Sequence, residues 1–431
     1  MKMEHTVIGM MWVLGCSGGD EDVTYYEDVK PILDGRCVNC HQDGGVAPFV
    51  LDAYADAAPL ADAIASNTTA RTMPPWGAVE GHQGYNDDPS LSAEQLDTLT
   101  AWAEQGALEG DAATEGAPLT PVGQSLARID ITLEMPEPYT PSNDQPDDYR
   151  CFVLDWPEDT EQYVTAFNVL PGNDEVVHHV AAFLVAPDGL LGDSIFETIA
   201  GWDASEDGPG YSCYGGPSSS NGESAQIPIE QLAQWVPGFG AQEFSEGTGI
   251  LIPPGSQIIL QLHYNVAGGV GEDQTAIEFT LEDTVARRAQ FAPVLDATWP
   301  LSGMDIPAGQ VTTHDVQFDP RAFFALLSGD ALNLDDGFDI HSILLHMHKL
   351  GEHGMVSVER ADGSSEVLLE VSPYDFNWQL NYRLSQAVPF ADGDEIRLTC
   401  TFDNSEGSAD LSWGEGSEEE MCVANLFISE L

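Results

Sequence analysis

From Asp130 to the C-terminus the sequence falls into short runs in which apolar and polar residues alternate, and this period of two constrains the fold more than any other feature. Examples are 163–169 (YVTAFNV), 257–263 (QIILQLH), 354–359 (GMVSVE) and 366–371 (EVLLEV). Successive side chains of a strand point to opposite faces, so each run can bury one face and hydrate the other. The turn formers between them (PPG, PDG, ADG, DNS) suit antiparallel strands with tight connections. About 300 residues of this texture exceed what one sandwich needs and predict two.

The preceding region has another texture. Residues 23–110 carry helical spacing: Ser92-x-x-Gln95 reads as a capping box, followed by Leu96, Leu99 and Trp102. A small all-α domain is expected there. The stretch 108–127 (LEGDAATEGAPLTPVGQSLA) is small, acidic and proline-bearing, and the linker is placed at 111–127. The two sandwiches are placed at 128–285 and 286–431.

The first residues read as an address. Lys2 precedes an apolar run from Val7 to Leu14, and Val13-Leu14-Gly15-Cys16 resembles a bacterial lipobox. The run is too short to span a bilayer, which favours a signal peptide over 1–15. Cleavage before Cys16 leaves a lipidated cysteine and a polar tether over 16–22. An exported, lipid-anchored protein follows, periplasmic or on the cell surface. Ser17 after Cys16, in place of Asp, favours the outer membrane.

Charge narrows the partners. Against 72 acidic residues stand 13 basic ones, with only three lysines (Lys2, Lys30 and Lys349), for a formal charge of −59. Such a surface repels nucleic acid and anionic membrane. It suits a solvated shell in a salty medium, and it could also recruit a basic electron donor.

Cys37-Val38-Asn39-Cys40-His41 is the attachment pattern for a c-type haem. Two thiols three residues apart reach both vinyl groups, and the next imidazole meets the iron from the same side. Half of a zinc site is the competing reading, with His82 the nearest further ligand. For the sixth haem ligand Met73, in Arg71-Thr72-Met73-Pro74-Pro75-Trp76, competes with His82; a His/Met pair suits electron transfer. With Cys16 lipidated and Cys37 and Cys40 on haem, four of seven cysteines remain, an even number that suggests two disulfides in an oxidising compartment.

His178 and His179 are adjacent, His263 sits in QLHYN, and His346 and His348 flank Met347. Residues two apart share a strand face, so His346 and His348 can grip one metal. Joint ligation by His178 and His179 requires a bulge or a strand end.

The segments VVHHVAAFLV, ILQLHYN, LLHMHKLG and EEMCVANLFI, in that order, resemble the ligand segments of the copper type II, ascorbate-dependent monooxygenases. The resemblance spans about 128–431 and implies two jelly-roll-like antiparallel sandwiches, each with one copper, facing across a cleft. It implies that His178, His179 and His263 bind the electron-supplying copper. His346, His348 and Met421 would bind the copper that takes O2, the soft thioether favouring Cu(I). Gln261 matches a residue near the first copper. The resemblance also implies the disulfides Cys151–Cys213 and Cys400–Cys422.

The expected protein is therefore multidomain: a small all-α cytochrome c domain, then two all-β sandwiches, with two copper ions and one haem c. It would hydroxylate a small organic or peptide-like substrate with O2, using ascorbate or a protein electron donor, the haem passing electrons to the His178/His179/His263 copper. A non-enzymatic haem/copper electron carrier is the alternative. The peptide-hydroxylating branch has an arginine where this chain has Leu344, which argues against a glycine-extended peptide as substrate. The residues after Cys422, Val423-Ala424-Asn425-Leu426-Phe427, also depart from that branch. His5, His82, His314, His341 and His353 are read as structural or surface residues.

Overall fold

The computed structural model describes residues 22–431 apart from 44, 46, 120–124, 146, 188–193, 214–215, 220–229, 238–239, 267–268, 329–331 and 415. The expected signal peptide over 1–15 and the expected lipidation site Cys16 lie outside the described residues. In the strand Gln257–Asn265, Ile258, Leu260, Leu262 and Tyr264 enter a core. The intervening Ile259, Gln261 and His263 therefore face the other way.

The strands build three sheets. One of nine strands is antiparallel except where Arg287–Val294 runs parallel to Thr248–Ile252, paired through Arg287–Thr248 and Arg288–Gly249. A five-stranded sheet has Gln257–Asn265 at its centre, flanked by Asp147–Asp155 and Val177–Val185. A four-stranded sheet centres on Glu395–Asp403 and Gly351–Glu359.

Each smaller sheet shares a core with one end of the long sheet. Phe152, Leu260 and Leu184 of the five-stranded sheet meet Ile277, Phe279 and Phe167 of the long one. Val356, Leu398 and Leu369 of the four-stranded sheet meet Ile340, Ile343 and Leu426. A fully buried side chain of this kind contributes about 1.5–3 kcal/mol. Both disulfides form: Cys151–Cys213, and Cys400–Cys422, which ties the four-stranded sheet to the nine-stranded one through their common core.

The expected all-α cytochrome c domain over 23–110, and with it the fold class built on that domain, does not stand. The chain is mostly sheet, and among the described residues this region holds only short helical pieces: Tyr25–Val29, Lys30–Arg36, Tyr54–Ala57, Ala58–Leu60, Ala61–Thr69 and Ala93–Glu104. The longest has twelve residues. Its capping box is real, with Gln95 N–H donating to Ser92 Oγ at 3.2 Å and Ser92 N–H to Gln95 Oε1 at 2.9 Å.

Local signals were thus sound, but they did not extend to a bundle. Between Ala70 and Ser92 there is no helix, in keeping with Pro74, Pro75, Pro89 and three glycines. Ala78 instead bridges to Val371 and Tyr85 to Leu384. Trp76 packs edge-on against Tyr382 at 4.7 Å and Tyr85 at 5.8 Å. Trp76, Ala78 and Tyr85 of this stretch cover the neighbouring sheet core, whereas Leu91 turns back into a small core that the short helical pieces share with Leu33, Leu99 and Trp102.

Candidate metal centres

Val177–Val185 and Gln257–Asn265 bring the first histidines together. Their register slips between Val177 and His179, so His178 sits on a bulge while His179 stays opposite His263. The bulge turns two adjacent side chains toward one place. One nitrogen each of His178, His179 and His263 lie within 4.8 Å of one another, and His178 Nδ1 is 3.3 Å from His263 Nδ1.

Both remaining faces of His263 are occupied. Its Nε2–H donates to Asp147 Oδ1 at 2.9 Å, since a carboxylate can only accept, and Tyr149 stacks on its ring at 4.1 Å with planes 5° apart. Burial lowers His178 to about 4, with positive charge on His263 acting the same way. His179 is held well below the usual histidine range by burial, then by His263, His178 and His346. Burial thus favours the neutral form of His178 and His179, the form that ligates metal. Gln261 faces the same side, but its Nε2 donates to Gly216 O at 2.8 Å.

The second group forms where the strand Phe338–His346 ends. His346 donates Nδ1–H to Gln379 Oε1 at 2.5 Å, and His348 donates Nδ1–H to the Glu419 carbonyl at 3.1 Å. Burial lowers both rings, His348 to about 3. With both protons committed to Nδ1, the two Nε2 atoms are bare lone pairs, and they face each other at 3.2 Å. Two nitrogens bound tetrahedrally to one metal at about 2.0 Å stand roughly 3.3 Å apart, so the pair fits a cation.

Met421 belongs to the same corner. His346 pairs with Val423, two residues beyond Met421, and Glu419 and Glu420 on its other side bond to His348. Glu420 is fully buried, and its carboxylate accepts N–H from His348 at 2.9 Å and from Leu350 at 2.6 Å. Burial raises it to about 7. Tyr374 brackets Met347, its hydroxyl accepting from Met347 N at 3.0 Å and donating to Met347 O at 2.7 Å.

The two groups lie within electrostatic reach of each other. Charge on His346 acts on His179, and Lys349 acts on Asp147. Asn381 Nδ2 donates to Gln242 Oε1 at 3.0 Å, Arg383 Nη1 to the Glu243 carbonyl at 2.6 Å, and Asn425 Nδ2 to Gln231 Oε1, which join the two ends of the molecule. Leu344, two residues before His346, is buried in register with Asn425 and Asn381, with no charged group in its place.

The Cys37/Cys40/His41 group stands apart. Both thiols are free and half-buried, and burial pushes Cys37 up to about 12. His41 is buried, its Nδ1 3.1 Å from the Phe49 carbonyl. Met73 is half-buried and donates its backbone N–H to Asn67 O at 3.3 Å. Of the histidines read as structural, His82 and His353 bond to opposite oxygens of Glu370 at 2.7 and 3.0 Å, and His341 is buried with Nε2 on Ser429 Oγ at 2.9 Å. Asp147, Tyr149, Gln379 and Glu420 escaped the sequence reading. Asp147, Tyr149 and Gln379 lie in no recognisable spacing, and Glu420, though it directly precedes Met421, shows its role only in three-dimensional pairing.

The chain is thus a β-sheet protein with two histidine groups shaped for metal. Residues 328–428 match the family model of the copper type II ascorbate-dependent monooxygenase C-terminal domain. Human (Homo sapiens) dopamine beta-hydroxylase is 23% identical over 307 residues, 68% of this chain and 45% of that protein. The dog (Canis lupus familiaris) protein of the same name is 21% identical over 64% of this chain and 42% of its own length. The rat (Rattus norvegicus) protein is 21% identical over 79% and 52%. The chain spans about half the length of these relatives. The matches support the copper type II monooxygenase family and a copper oxygenase. Among solved structures an allantoicase reaches a TM-score of only 0.18 at 10% identity, over 66% of this chain and 78% of that one, and carries no argument.

Proposed function

We propose that the chain holds one copper on His178, His179 and His263 and another on His346, His348 and Met421, and uses O2 to hydroxylate a C–H bond of a small organic substrate. The reading rests above all on the facing lone pairs of His346 and His348 at 3.2 Å, in the corner that carries Met421, together with the separate histidine triad. When bound, copper supplies one-electron chemistry at each centre and, beside the thioether, a reduced state suited to O2.

The chain's own residues do the rest. Gln379 and Glu419 keep the His346 and His348 protons on Nδ1, so both rings present Nε2. Leu344 offers no ion pair to a substrate carboxylate, which favours an uncharged or amine-bearing compound over a peptide terminus. Ascorbate or a protein donor supplies the electrons. We take the triad to belong to a unit at 128–285 and the pair to one at 286–431.

A haem c on Cys37 and Cys40, with His41 and Met73 as axial ligands, is part of the same proposal. The free thiols and the His41 Nδ1 contact with Phe49 O, which leaves Nε2 available, support it. Lipidation at Cys16, with outer-membrane anchoring, completes it. Metal analysis of copper-loaded protein, with a reduced haem spectrum and substrate-dependent O2 uptake, is the test. Two coppers and one iron per chain with O2 uptake are expected. Copper-free protein refutes the monooxygenase, and iron-free protein refutes the haem alone.

A further inference from the structure

The two histidine groups differ in what stands behind their ligands. Behind His263 is an anion: Asp147 Oδ1 accepts Nε2–H at 2.9 Å, and Asn265 Nδ2 donates to the same oxygen at 3.1 Å, fixing it in place. Asp147 is the cross-strand partner of Asn265 and Tyr149 of His263, so a single strand supplies both the carboxylate and the stacked ring. Together they leave His263 one orientation, Nδ1 toward His178. Behind His346 and His348 are only neutral acceptors, the Gln379 amide and the Glu419 carbonyl.

Resting on the copper reading above, we infer that Asp147 and Tyr149 are positioning residues that bias the His178/His179/His263 centre toward Cu(II), so that an electron shared between the two centres resides at the His346/His348/Met421 centre. A carboxylate hydrogen-bonded to an imidazole N–H draws that proton away and makes the other nitrogen a stronger donor. A stronger, anion-backed donor stabilises the more highly charged metal ion. Two neutral-backed imidazoles with a thioether favour the softer Cu(I). In the transfer one centre goes from Cu(I) to Cu(II) and the other from Cu(II) to Cu(I), and no proton need move. The bias comes from charge placement, and Tyr149 keeps the ring in the plane where Asp147 reaches it.

The test compares Asp147→Asn with its parent in a His346→Ala/His348→Ala background, where only the triad can bind. Asn keeps an acceptor for Nε2–H and removes the charge. Cu(II) and Cu(I) affinities are measured by competition titration, and the Cu(II) site is followed by electron paramagnetic resonance. Cu(II) affinity is expected to fall about tenfold with Cu(I) affinity nearly unchanged. A tenfold change in that ratio raises the potential by about 59 mV for a one-electron couple. Asp147→Glu should restore the ratio, and Gln379→Glu, in a chain lacking the triad histidines, should shift the other centre the opposite way. An unchanged ratio, or equal losses for both oxidation states, overturns the inference. A background protein that binds no copper overturns the parent reading instead.

Discussion

The triad and the pair solve one problem by opposite means. His178, His179 and His263 lie on adjacent strands of a single sheet, where a bulge and a ladder register hold them. His346 and His348 lie where a strand runs out, and their geometry depends on braces reached through space: Gln379, Glu419, Glu420, Tyr374 and the disulfide after Met421. A site written into a ladder inherits the rigidity of the sheet. A site at a strand end must be assembled from distant chain, and it should fail when any brace is cut.

Disulfides give the sharpest contrast. Cys151–Cys213 closes 62 residues and Cys400–Cys422 closes 22, which by loop entropy correspond to about 4 and 3 kcal/mol. Replacing either pair by Ala should lower the melting temperature by several degrees. Only loss of Cys400–Cys422 should also lower copper affinity at the pair by about tenfold or more. Equal effects on both centres in a copper titration would erase the distinction.

Acid probes the pair's strand next. His341 is buried and neutral, lowered to about 4 by burial, then by Arg287. Above pH 6.5 it is uncharged in both folded and unfolded chain and contributes nothing. As pH falls from 6.5 toward 4, the unfolded chain takes up a proton that the folded one refuses, and stability drops by up to about 3 kcal/mol. His341→Gln should flatten this decline in urea titrations run at several pH values. An unchanged slope would dissociate His341 from it.

Glu420→Ala comes next. It strands two buried N–H donors and should cost about 2 kcal/mol, with copper lost from the pair before the triad. The smallest effect is expected of Gln379→Leu, at about 1 kcal/mol, because it leaves one ring N–H unpaired. Its clearer sign should be a weaker Cu(I) complex at the pair alone, measured by chelator competition.

What was legible follows the same division. Period-two alternation announced the sheets, and four ordered motifs located six ligand candidates. The requirement for a bulge at His178 could be stated from strand geometry alone. Asp147, Gln379 and Glu420 were hidden because they act across 116, 33 and 72 residues of chain, and a lone polar residue at such range has no local pattern. The N-terminal region misled for a related reason. Helical spacing around Leu96 and Trp102 is a local fact, whereas Trp76 and Tyr85 answer to a sheet some 300 residues away in sequence.

Phe427 has a consequence of its own. It lies on Val423–Glu430, whose neighbours Leu426 and Ile428 belong to the second core, yet its ring enters the first, 4.3 Å from Phe244 and 5.0 Å from Phe291. With the parallel pairing at Arg287–Thr248, it rivets the two ends of the molecule. The two ends, joined by backbone ladder and buried ring alike, then behave as one block rather than as a hinged pair.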